Sequence, residues 1–390
     1  MNCTLNIAMD TQLLIAQGNE YRAQNQPTEA LKCYAQAFVE DMDLAAAWNN
    51  YGNVMRECGQ PARAVPFLQH AIALEPKNVT AHFNLAVSYL IQGNYAQGWP
   101  LYEVRWNYEH LAGQLPKHTQ PRWTGQDLKD KTILVEGEQG HGDNIQFVRF
   151  LWNLHVAGAK IKLKVTDGLI PLLGNSPIIE RVAGYLDDVG EFDYWTPIMS
   201  IPGILGITLE NLPKPVNYLN VDMNKQQEWL QILGPKTRMR VGFCWSGRRD
   251  AWLNRHKGMP FEDMLDLIRT NSQYEWVNLQ IDATPEEEAA LVAAGVKAYP
   301  GSITSFVDTA ALIMAMDVVI GVDTAVSHLS GSLGRPTWIM LNWFGTDWRW
   351  LLNRDDSPWY STARLFRQPS MGDWASVRKK ITQYLSWMKV

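Results

Sequence analysis

The chain has few cysteines and no long apolar segment. Only four of its 390 residues are cysteine, and no two of them form a C-x-x-C pair. Zinc sites and disulfide frameworks require paired or clustered cysteines, so neither is expected. The longest apolar stretch, residues 309–316, is far shorter than the roughly 20 residues of a membrane-spanning helix. Because the N-terminus also lacks the basic and apolar pattern of a secretory signal, the sequence predicts a cytoplasmic protein.

The chain also lacks an excess of positive charge. Lysine and arginine total 35, aspartate and glutamate total 40, and the formal net charge is -5. Surfaces that bind duplex nucleic acid are strongly basic, so nucleic acid is not an expected partner. Hydrophobic residues make up 46% of the chain and charged residues 19%, as in ordinary folded proteins. At roughly 100–200 residues per domain, this length predicts two to four domains.

Tryptophan, in contrast, is abundant, with 17 copies. Seven of them lie within the last 53 residues: Trp338, Trp343, Trp348, Trp350, Trp359, Trp374 and Trp387. Aromatic faces stack on sugars and bases, but the same rings also fill protein cores. The spacing alone favours neither interpretation, so both stay open.

The N-terminal part of the chain contains an internal repeat with a period of 34 residues. The offset aligns Gly18 with Gly52 and Tyr34 with Leu68. Small residues let two antiparallel helices approach each other, and large ones fill the space between successive pairs. The middle copy resembles the tetratricopeptide repeat (TPR) pattern, which predicts a stack of about three helix pairs over residues 1–110.

Asparagines recur with the same period on the predicted first helices of the repeats. Asn50 and Asn84 are 34 residues apart, as are Asn19 and Asn53. Asparagines on the concave face of such a stack would donate and accept hydrogen bonds with an extended peptide. This ladder resembles the one in the protein O-GlcNAc transferases. Asparagine is also tolerated as an exposed helix residue, and this alternative stays open.

The remaining sequence predicts two α/β domains after a polar linker at residues 111–127. Residues 128–235 begin with an apolar strand at 131–136, a glycine-rich turn and a helix from Asp143, which is the order of a βαβ unit. Residues 236–390 contain a second series of strands and helices. Its strands are predicted at 238–245, 276–279, 318–321 and 337–341. The predicted fold class is therefore α plus α/β: helical repeats followed by a pair of Rossmann-like domains with a ligand cleft at the carboxyl ends of their strands.

The glycine-rich turn carries the first candidate for chemistry. Its sequence from residue 136 to 143 is Glu-Gly-Glu-Gln-Gly-His-Gly-Asp. The glycines permit close approach of the backbone to a ligand. Asp143 is a candidate general base that faces the cleft, with His141 as a substitute or helper. The alternative is that Asp143 only caps a helix.

Two further motifs follow strands of the second α/β domain. Trp245, Arg248, Arg255 and Lys257 lie in a cation-rich segment after the first strand, which would suit a diphosphate, although such a segment is also typical of a solvated loop. The second motif starts where a strand ends and a helix begins, so free amides would face an anion. It consists of Asp323, Thr324, Ala325 and His328. The alternative makes its aspartate a helix cap and its histidine a core residue.

These motifs resemble those of bacterial TPR-containing glycosyltransferases related to the ADP-heptose:lipopolysaccharide heptosyltransferases. The resemblance extends more distantly to the O-GlcNAc transferases, and all of them have the GT-B fold. It covers nearly the whole chain. The motifs that carry it are the Glu-Gln-Gly-x-Gly-Asp turn, the stretch at 197–202, the Asp-Thr-x-x-x-His signature and the tryptophan-rich run at 347–360.

The resemblance implies roles for individual residues. Asp143 falls where heptosyltransferases place their proposed catalytic base, in the domain that holds the acceptor. Asp323, Thr324, Ala325 and His328 fall where the family binds the sugar nucleotide. Lys257 or Arg255 would meet the leaving diphosphate. The C-terminal helix, at residues 373–388, would cross back to the first α/β domain.

The implied activity is transfer of a sugar from a UDP-, ADP- or GDP-linked donor to an acceptor hydroxyl, with inversion. No further cofactor is expected, and no metal is required if the cations neutralise the leaving group, since no acidic DxD cluster is present. The repeats would recruit a protein acceptor or partner. Two alternatives stay open: a TPR adaptor with a non-catalytic GT-B domain, and a nucleotide-sugar epimerase.

Overall fold

The protein divides into two compact units. The computed structural model describes residues 2–213, 217–247, 257–297, 299 and 303–388. The repeat unit comprises Met1–Leu115, Gly206–Asn211 and Trp343–Asn353, and the α/β unit comprises Pro116–Leu205, Leu212–Asn342 and Arg354–Val390. Helical repeats thus precede parallel α/β sheets, which confirms the predicted fold class. In the described ranges, no helix has the length and hydrophobicity needed to cross a bilayer.

The repeat unit is built from antiparallel helix pairs. Its helices are α1 (Asn2–Ala23), α2 (Pro27–Glu40), α3 (Ala45–Glu57), α4 (Pro61–Leu74), α5 (Val79–Ile91) and α6 (Tyr95–Tyr102). A Cβ atom on Gly18 would lie 2.5 Å from the ring of Tyr34, and one on Gly52 would lie 2.8 Å from Leu68. The small residues of the 34-residue period are therefore required by the close packing within each pair.

Two segments from the α/β part of the sequence complete the repeat unit. Trp348 packs edge-on against Trp99 of the short helix α6, with ring centroids 5.4 Å apart. The backbone N–H of Gly345 donates a hydrogen bond of 2.9 Å to the carbonyl of Glu57. The indole of Trp99 donates one of 2.9 Å to the carbonyl of Ile207. The sequence assigned both segments to the α/β domains because its helix and strand periods are local and do not show which core an aromatic side chain enters.

The first sheet of the α/β unit contains four parallel strands. They are β1 (Thr132–Glu136), β2 (Lys160–Lys164), β3 (Arg181–Ala183) and β4 (Tyr194–Pro197), in the order β3-β2-β1-β4. The helices that follow them along the chain are α7 (His141–Phe147), α8 (Leu151–Val156), α9 (Ile170–Leu173), α10 (Ile201–Ile204) and α11 (Met223–Leu233). The predicted strand, glycine-rich turn and helix are present in this order, which places the turn at the carboxyl edge of the sheet.

The second sheet contains five parallel strands. They are β5 (Arg240–Cys244), β6 (Glu275–Asn278), β7 (Val318–Val322), β8 (Thr337–Leu341) and β9 (Ala363–Arg367), in the order β6-β5-β7-β8-β9. Its helices are α12 (Phe261–Thr270), α13 (Pro285–Ala293), α14 (Phe306–Met314), α15 (Ala325–Ser332) and α16 (Trp374–Trp387). Strands β5, β7 and β8 are buried along their whole length, which explains their continuous apolar runs.

The C-terminal helix α16 packs on the second sheet. Its residues Val377 and Ile381 are buried in the core beside strands β5 and β7. Arg378 forms ion pairs of 3.2 and 2.9 Å with Asp263 and Asp266 of α12. The expectation that this helix crosses back to the first α/β domain is therefore wrong. An amphipathic helix that directly follows the edge strand β9 buries its apolar face on the nearest sheet.

Most of the C-terminal tryptophans fill protein cores. Five of the seven are at most 7% exposed: Trp338, Trp348, Trp350, Trp359 and Trp374. Trp387 is 60% exposed. For the five buried rings, core packing is therefore the interpretation that the structure supports.

A buried arginine connects the helices of the first sheet with the tryptophan-rich run. Arg149, directly after α7, donates a hydrogen bond of 2.5 Å to the carbonyl of Trp359 and one of 3.0 Å to the hydroxyl of Tyr218. Its guanidinium lies 4.7 Å from the centre of the Tyr360 ring. The ring of Trp359 packs on Phe147 at 5.6 Å. This arrangement fixes the C-terminal end of α7 against the segment that precedes β9.

Candidate active site

The glycine-rich turn after β1 touches the helix that follows β7. A Cβ atom on Gly142 would lie 2.8 Å from Cδ2 of His328 and 3.4 Å from Cα of Ala325. Only glycine permits this approach without displacing a neighbour. The turn that carries Asp143 is therefore in contact with the motif that carries Asp323.

Replacing Gly142 by alanine tests this contact. Overpacking by one methyl group at a closely packed site typically costs about 1–3 kcal/mol, so we expect Gly142→Ala to lower the melting temperature measurably. Gly168→Ala is the matched control, because a Cβ atom there would have its nearest neighbour, His141 Nε2, at 3.8 Å. Equal melting temperatures for the two variants, measured by differential scanning calorimetry, would show that the contact with His328 is absent.

Both catalytic candidates lie in the first turn of α7. Asp143 is half-buried, and its Oδ2 accepts a hydrogen bond of 2.9 Å from the backbone N–H of Gly140. His141 is exposed, and its ring lies 5.0 Å from that of Phe306. The helix-capping contact of Asp143 is thus present. A carboxylate offers about four lone-pair sites on two oxygens, so this contact leaves the prediction of a general base untested.

Asn144 shapes the turn and was not singled out by the sequence. It is fully buried. Its Nδ2 donates hydrogen bonds of 3.1 and 2.9 Å to the carbonyls of Glu138 and Gly140, and its Oδ1 accepts one of 3.1 Å from the N–H of Glu138. A buried amide that is bonded on both sides holds the backbone of the turn in one conformation. The only indication of this role in the sequence was the position of Asn144 directly after Asp143.

Asp323 is the centre of a buried ionic cluster at the end of β7. Its Oδ2 lies 3.0 Å from Nζ of Lys257, and its Oδ1 lies 3.5 Å from Nε2 of His328. Burial raises the pKa of Asp323, but the nearby Lys257 ammonium and the contact with His328 more than offset this effect and hold that pKa well below its usual value. Asp323 is therefore ionised at neutral pH, and it holds Lys257 at the edge of the cleft.

A tyrosine holds the other side of the His328 ring. The hydroxyl of Tyr360 lies 2.8 Å from Nδ1 of His328, and both side chains are buried. Burial raises the pKa of Tyr360 well above its usual value, so its hydroxyl keeps its proton at neutral pH. With Asp323 on one ring nitrogen and Tyr360 on the other, the orientation of the imidazole is fixed. In the sequence, Tyr360 was identified only as part of the tryptophan-rich run at 347–360, with no predicted contact to His328.

The start of α15 has no side-chain cap. Thr324 precedes the helix, and its hydroxyl lies 3.5 Å from Sγ of Cys244 and makes no capping hydrogen bond to α15, which the structure describes in full. Burial raises the pKa of the Cys244 thiol to about 11, so this neighbour is neutral. The first N–H groups of a helix have no partner within it, and they carry partial positive charge. The amides from Ala325 onward therefore suit a phosphate.

The loop after β5 adds a residue that the sequence did not identify. The backbone N–H groups of Trp245 and Ser246 donate hydrogen bonds of 3.3 and 3.2 Å to Oε1 of Gln280. Ser246 Oγ is buried and has no hydrogen-bond partner among the described residues. Trp245 itself lies in the core of the second sheet. The predicted phosphate contacts Arg248 and Arg255 lie outside the described residues.

A cavity of about 330 Å³ lies beside Gln280, at the carboxyl end of β6. Apolar and aromatic side chains provide most of its walls, including Ile281, Leu291, Val292, Tyr299 and Ile303. Since Gln280 also binds the loop that carries Ser246, the cavity and that loop are neighbours. A flat apolar group of the size of a nucleobase would fit such walls.

The predicted asparagine ladder is present in the repeat unit. Asn50 donates a hydrogen bond of 3.2 Å to Oδ1 of Asn19, and Asn84 donates one of 3.0 Å to Oδ1 of Asn49. Asn19 is exposed and Asn50 half-buried, whereas Asn53 and Asn84 are buried. The ladder therefore connects the first helices of the repeats to one another, with Asn49 as a member that the sequence missed. Binding of a peptide by these residues stays a prediction.

The chain is similar to one curated protein over most of its length and to solved structures over about two thirds of it. Protein FlbA of Caulobacter vibrioides is 26% identical to it, over 93% of this chain and 71% of that protein. The solved structure of ADP-heptose lps heptosyltransferase II from E. coli is 15% identical over 65% of this chain and 98% of its own, with a TM-score of 0.45. The glycosyl transferase family 9 structure from Veillonella parvula is 13% identical over 69% of this chain and 92% of its own, with a TM-score of 0.47.

The repeats themselves match family models. Residues 15–69 and 67–99 each match a model described as tetratricopeptide repeat. This result agrees with the helix pairs of the structure and with the glycines that their packing requires. Residues 15–99 are therefore tetratricopeptide repeats, as the 34-residue period predicted.

Proposed function

We propose that this protein is a glycosyltransferase that moves a sugar from a nucleotide-sugar donor to an acceptor hydroxyl. The observation that carries the proposal is the approach of Gly142 to His328. Asp143, a half-buried carboxylate, directly follows Gly142, and Asp323, which pairs with Lys257, contacts His328; this supports a shared site for the base and for the groups that would bind an anion. A base on one side and a stabilised leaving group on the other are what displacement at an anomeric carbon requires.

The donor would bind along the carboxyl edge of the second sheet. Lys257 and the amides at the start of α15 would hold the diphosphate, and the buried hydroxyl of Ser246 would donate to one of its oxygens. The nucleobase would occupy the cavity beside Gln280. The charged and polar groups of this chain would then neutralise the leaving group without a metal ion.

In the reaction, Asp143 would accept the proton of the acceptor hydroxyl as its oxygen bonds to the anomeric carbon. The bond from that carbon to the diphosphate oxygen breaks, and the developing negative charge falls on the side of Lys257 and α15. Because Asp143 takes a proton and forms no bond to the sugar, one displacement occurs and the configuration inverts. The tetratricopeptide repeats would recruit a protein acceptor or partner.

Nucleotide binding tests the donor site. We expect one of UDP, ADP or GDP to raise the melting temperature of the full chain, because a ligand at 100 times its Kd stabilises the folded state by about 2.7 kcal/mol. This corresponds to a shift of roughly 5 °C. The corresponding nucleosides, which lack phosphates, are the control and should shift it much less. No stabilisation by any of the three nucleotides would overturn the donor site.

Product analysis then separates the transferase from its rivals. With the stabilising nucleotide linked to different sugars, a transferase attaches the sugar to an added acceptor protein, which mass spectrometry detects. Stabilisation by the nucleotide with no transfer to any acceptor, including proteins from a lysate of a related bacterium, would favour the adaptor. Isomerised donor without transfer would favour the epimerase.

A further inference from the structure

A segment of the chain folds back onto the first helices of the repeats. After α6, the chain continues in two short 3-10 turns, Glu103–Asn107 and Glu109–Leu111. Between them, the ring of Tyr108 stacks on the ring of Phe83, with centroids 4.1 Å apart and an interplanar angle of 8°. Both rings belong to the repeat unit, and Tyr108 is half-buried there.

Phe83 belongs to the same helix face as the asparagine ladder. It lies 34 residues after Asn49 and directly before Asn84, and these two asparagines are hydrogen-bonded to each other. The repeat period therefore gives Phe83 on α5 the position that Asn49 has on α3. The ring of Tyr108 thus covers the face on which the sequence predicted an extended peptide.

Two arginines with the same spacing extend this face. Arg22 and Arg56 are 34 residues apart, in the last turns of α1 and α3. Glu57 receives two hydrogen bonds from Arg22, of 2.7 and 2.5 Å, and lies 3.5 Å from Arg56. Nε of Arg56 is buried without a hydrogen-bond partner among the described residues. The guanidinium groups of Arg22 and Arg56 thus share the carboxylate of Glu57, and Nε of Arg56 remains a donor without a partner among the described residues.

We call Phe83, Arg22, Arg56 and Glu57 the aromatic–arginine patch. Both arginines act electrostatically on the Tyr108 hydroxyl, which is also hydrogen-bonded to the side chain of Glu109. The other charged group that acts on Arg56 is Asp347, which already forms an ion pair of 3.0 Å with Arg349. The two arginines of the patch share one carboxylate, which leaves an excess of positive charge. Tyr108 brings an aromatic ring to the patch, and the carboxylate of Glu109 lies beside the Tyr108 hydroxyl.

The dipeptide has a strained backbone and partly exposed side chains. Glu109 has a φ of 41°, in the left-handed region that a residue with a Cβ atom rarely adopts. Its side chain is exposed, and that of Tyr108 is only half-buried. Release of the dipeptide would relieve the strain at Glu109 and uncover the ring of Phe83.

We propose that the aromatic–arginine patch binds a peptide in which an aromatic residue is followed by an acidic one, and that Tyr108–Glu109 occupies this site until such a peptide displaces it. The proposal rests on the proposed recruitment of a protein by the repeats and names the chemistry of that partner. The dipeptide is then an intramolecular competitor. Only the fraction of the protein in which the patch is uncovered binds the partner, so the dipeptide weakens the apparent affinity for the partner.

Titration of the full chain with a labelled peptide tests this proposal. The probe is fluorescein-labelled Gly-Ser-Gly-Ser-Tyr-Glu-Ser-Gly-Ser-Gly, followed by fluorescence anisotropy. We expect the double variant Tyr108→Ser/Glu109→Gly to bind it about tenfold or more tightly than the wild-type chain. Tyr185→Ser, which changes an exposed tyrosine of the α/β unit, is the matched control and should bind like the wild type.

Two further measurements decide whether the gain arises at the patch. Adding Phe83→Ala to the double variant should abolish the gain, and Phe83→Leu serves if the alanine variant has lost its helical circular dichroism. A probe with Tyr-Gln in place of Tyr-Glu should bind at least several-fold more weakly. Equal binding by the double variant and the wild type, a gain that survives the loss of the Phe83 ring, or equal binding of the two probes would each overturn the proposal.

The titration contains no nucleotide sugar, so its result is independent of transferase activity. A failure here would leave nucleotide stabilisation and sugar transfer unaffected. Conversely, a protein that transfers no sugar would still bind the Tyr-Glu probe if the patch is a peptide site.

Discussion

Substitution of Asp143 by asparagine should reduce kcat for sugar transfer by about 100- to 10,000-fold, the usual contribution of a general base. Asparagine keeps the size of the side chain, and its carbonyl oxygen still accepts a hydrogen bond from the N–H of Gly140, which Asp143 binds now. The substitution therefore removes the proton acceptor and retains the helix cap. The measurement is kcat with saturating donor and acceptor, together with the affinity for the nucleotide.

Two variants serve as controls for this prediction. Asp222→Asn makes the same change at the start of α11, where Asp222 accepts hydrogen bonds from the N–H groups of Asn224 and Lys225, and it should leave kcat unchanged. His141→Ala should have a smaller effect than Asp143→Asn if the histidine is only a helper. A near-normal kcat for Asp143→Asn would remove Asp143 as the base and would make His141 the next residue to test.

Replacement of Lys257 by methionine should weaken binding of the nucleoside diphosphate about 10- to 100-fold. In the proposed donor site, Lys257 would supply a charge-assisted hydrogen bond, worth roughly 1.5–3 kcal/mol; its ammonium lies 3.0 Å from Asp323. Affinity is measured by isothermal titration calorimetry at two salt concentrations, and the variant should show the weaker salt dependence. Lys236→Met is the matched control, because Lys236 pairs with Asp317 at 2.6 Å and is half exposed.

The Lys257→Met substitution should also change how the stability of the protein depends on pH. The folded-state pKa of Asp323 lies below its unfolded value, so its contribution to stability is complete above about pH 4 and is lost as the pH falls through the folded-state value. Without Lys257, that pKa rises and the contribution shrinks. The wild type should therefore exceed the variant in stability at neutral pH, by roughly 2–4 kcal/mol, and the difference should decrease on acidification. A constant difference in urea denaturation between pH 7 and pH 3 would contradict this assignment.

The sequence could predict those features whose cause is local. Gly18 and Gly52 recur with a period of 34 because each faces a large side chain one helix away. Strands β5, β7 and β8 are mostly apolar because every residue in them is buried. The glycine-rich turn and the Asp-Thr-x-x-x-His motif lie at strand ends, where the carboxyl edge of a parallel sheet collects ligands. Periodicity and turn chemistry identify such features without knowledge of the tertiary structure.

Features that depend on distant partners could not be predicted in this way. Tyr360 acts on His328 across 32 residues of sequence, and nothing in the aromatic run indicates which of its rings faces a histidine. Trp348 enters the repeat unit although the chain on both sides belongs to the α/β unit. Ser246 is notable only because its hydroxyl is buried without a partner among the described residues. Each of these facts arises from the way the chain folds back on itself, and a one-dimensional pattern does not contain that information.

The hydrogen bond from Arg149 to the carbonyl of Trp359 connects residues that are 210 positions apart. During synthesis, the first sheet leaves the ribosome long before Trp359 does, so the Arg149 guanidinium stays hydrated until the end of the chain emerges. The helix that carries Asp143 can then reach its final position only as a late event in folding. The repeat unit is completed equally late, because its last segment, Trp343–Asn353, lies near the C-terminal end of the sequence.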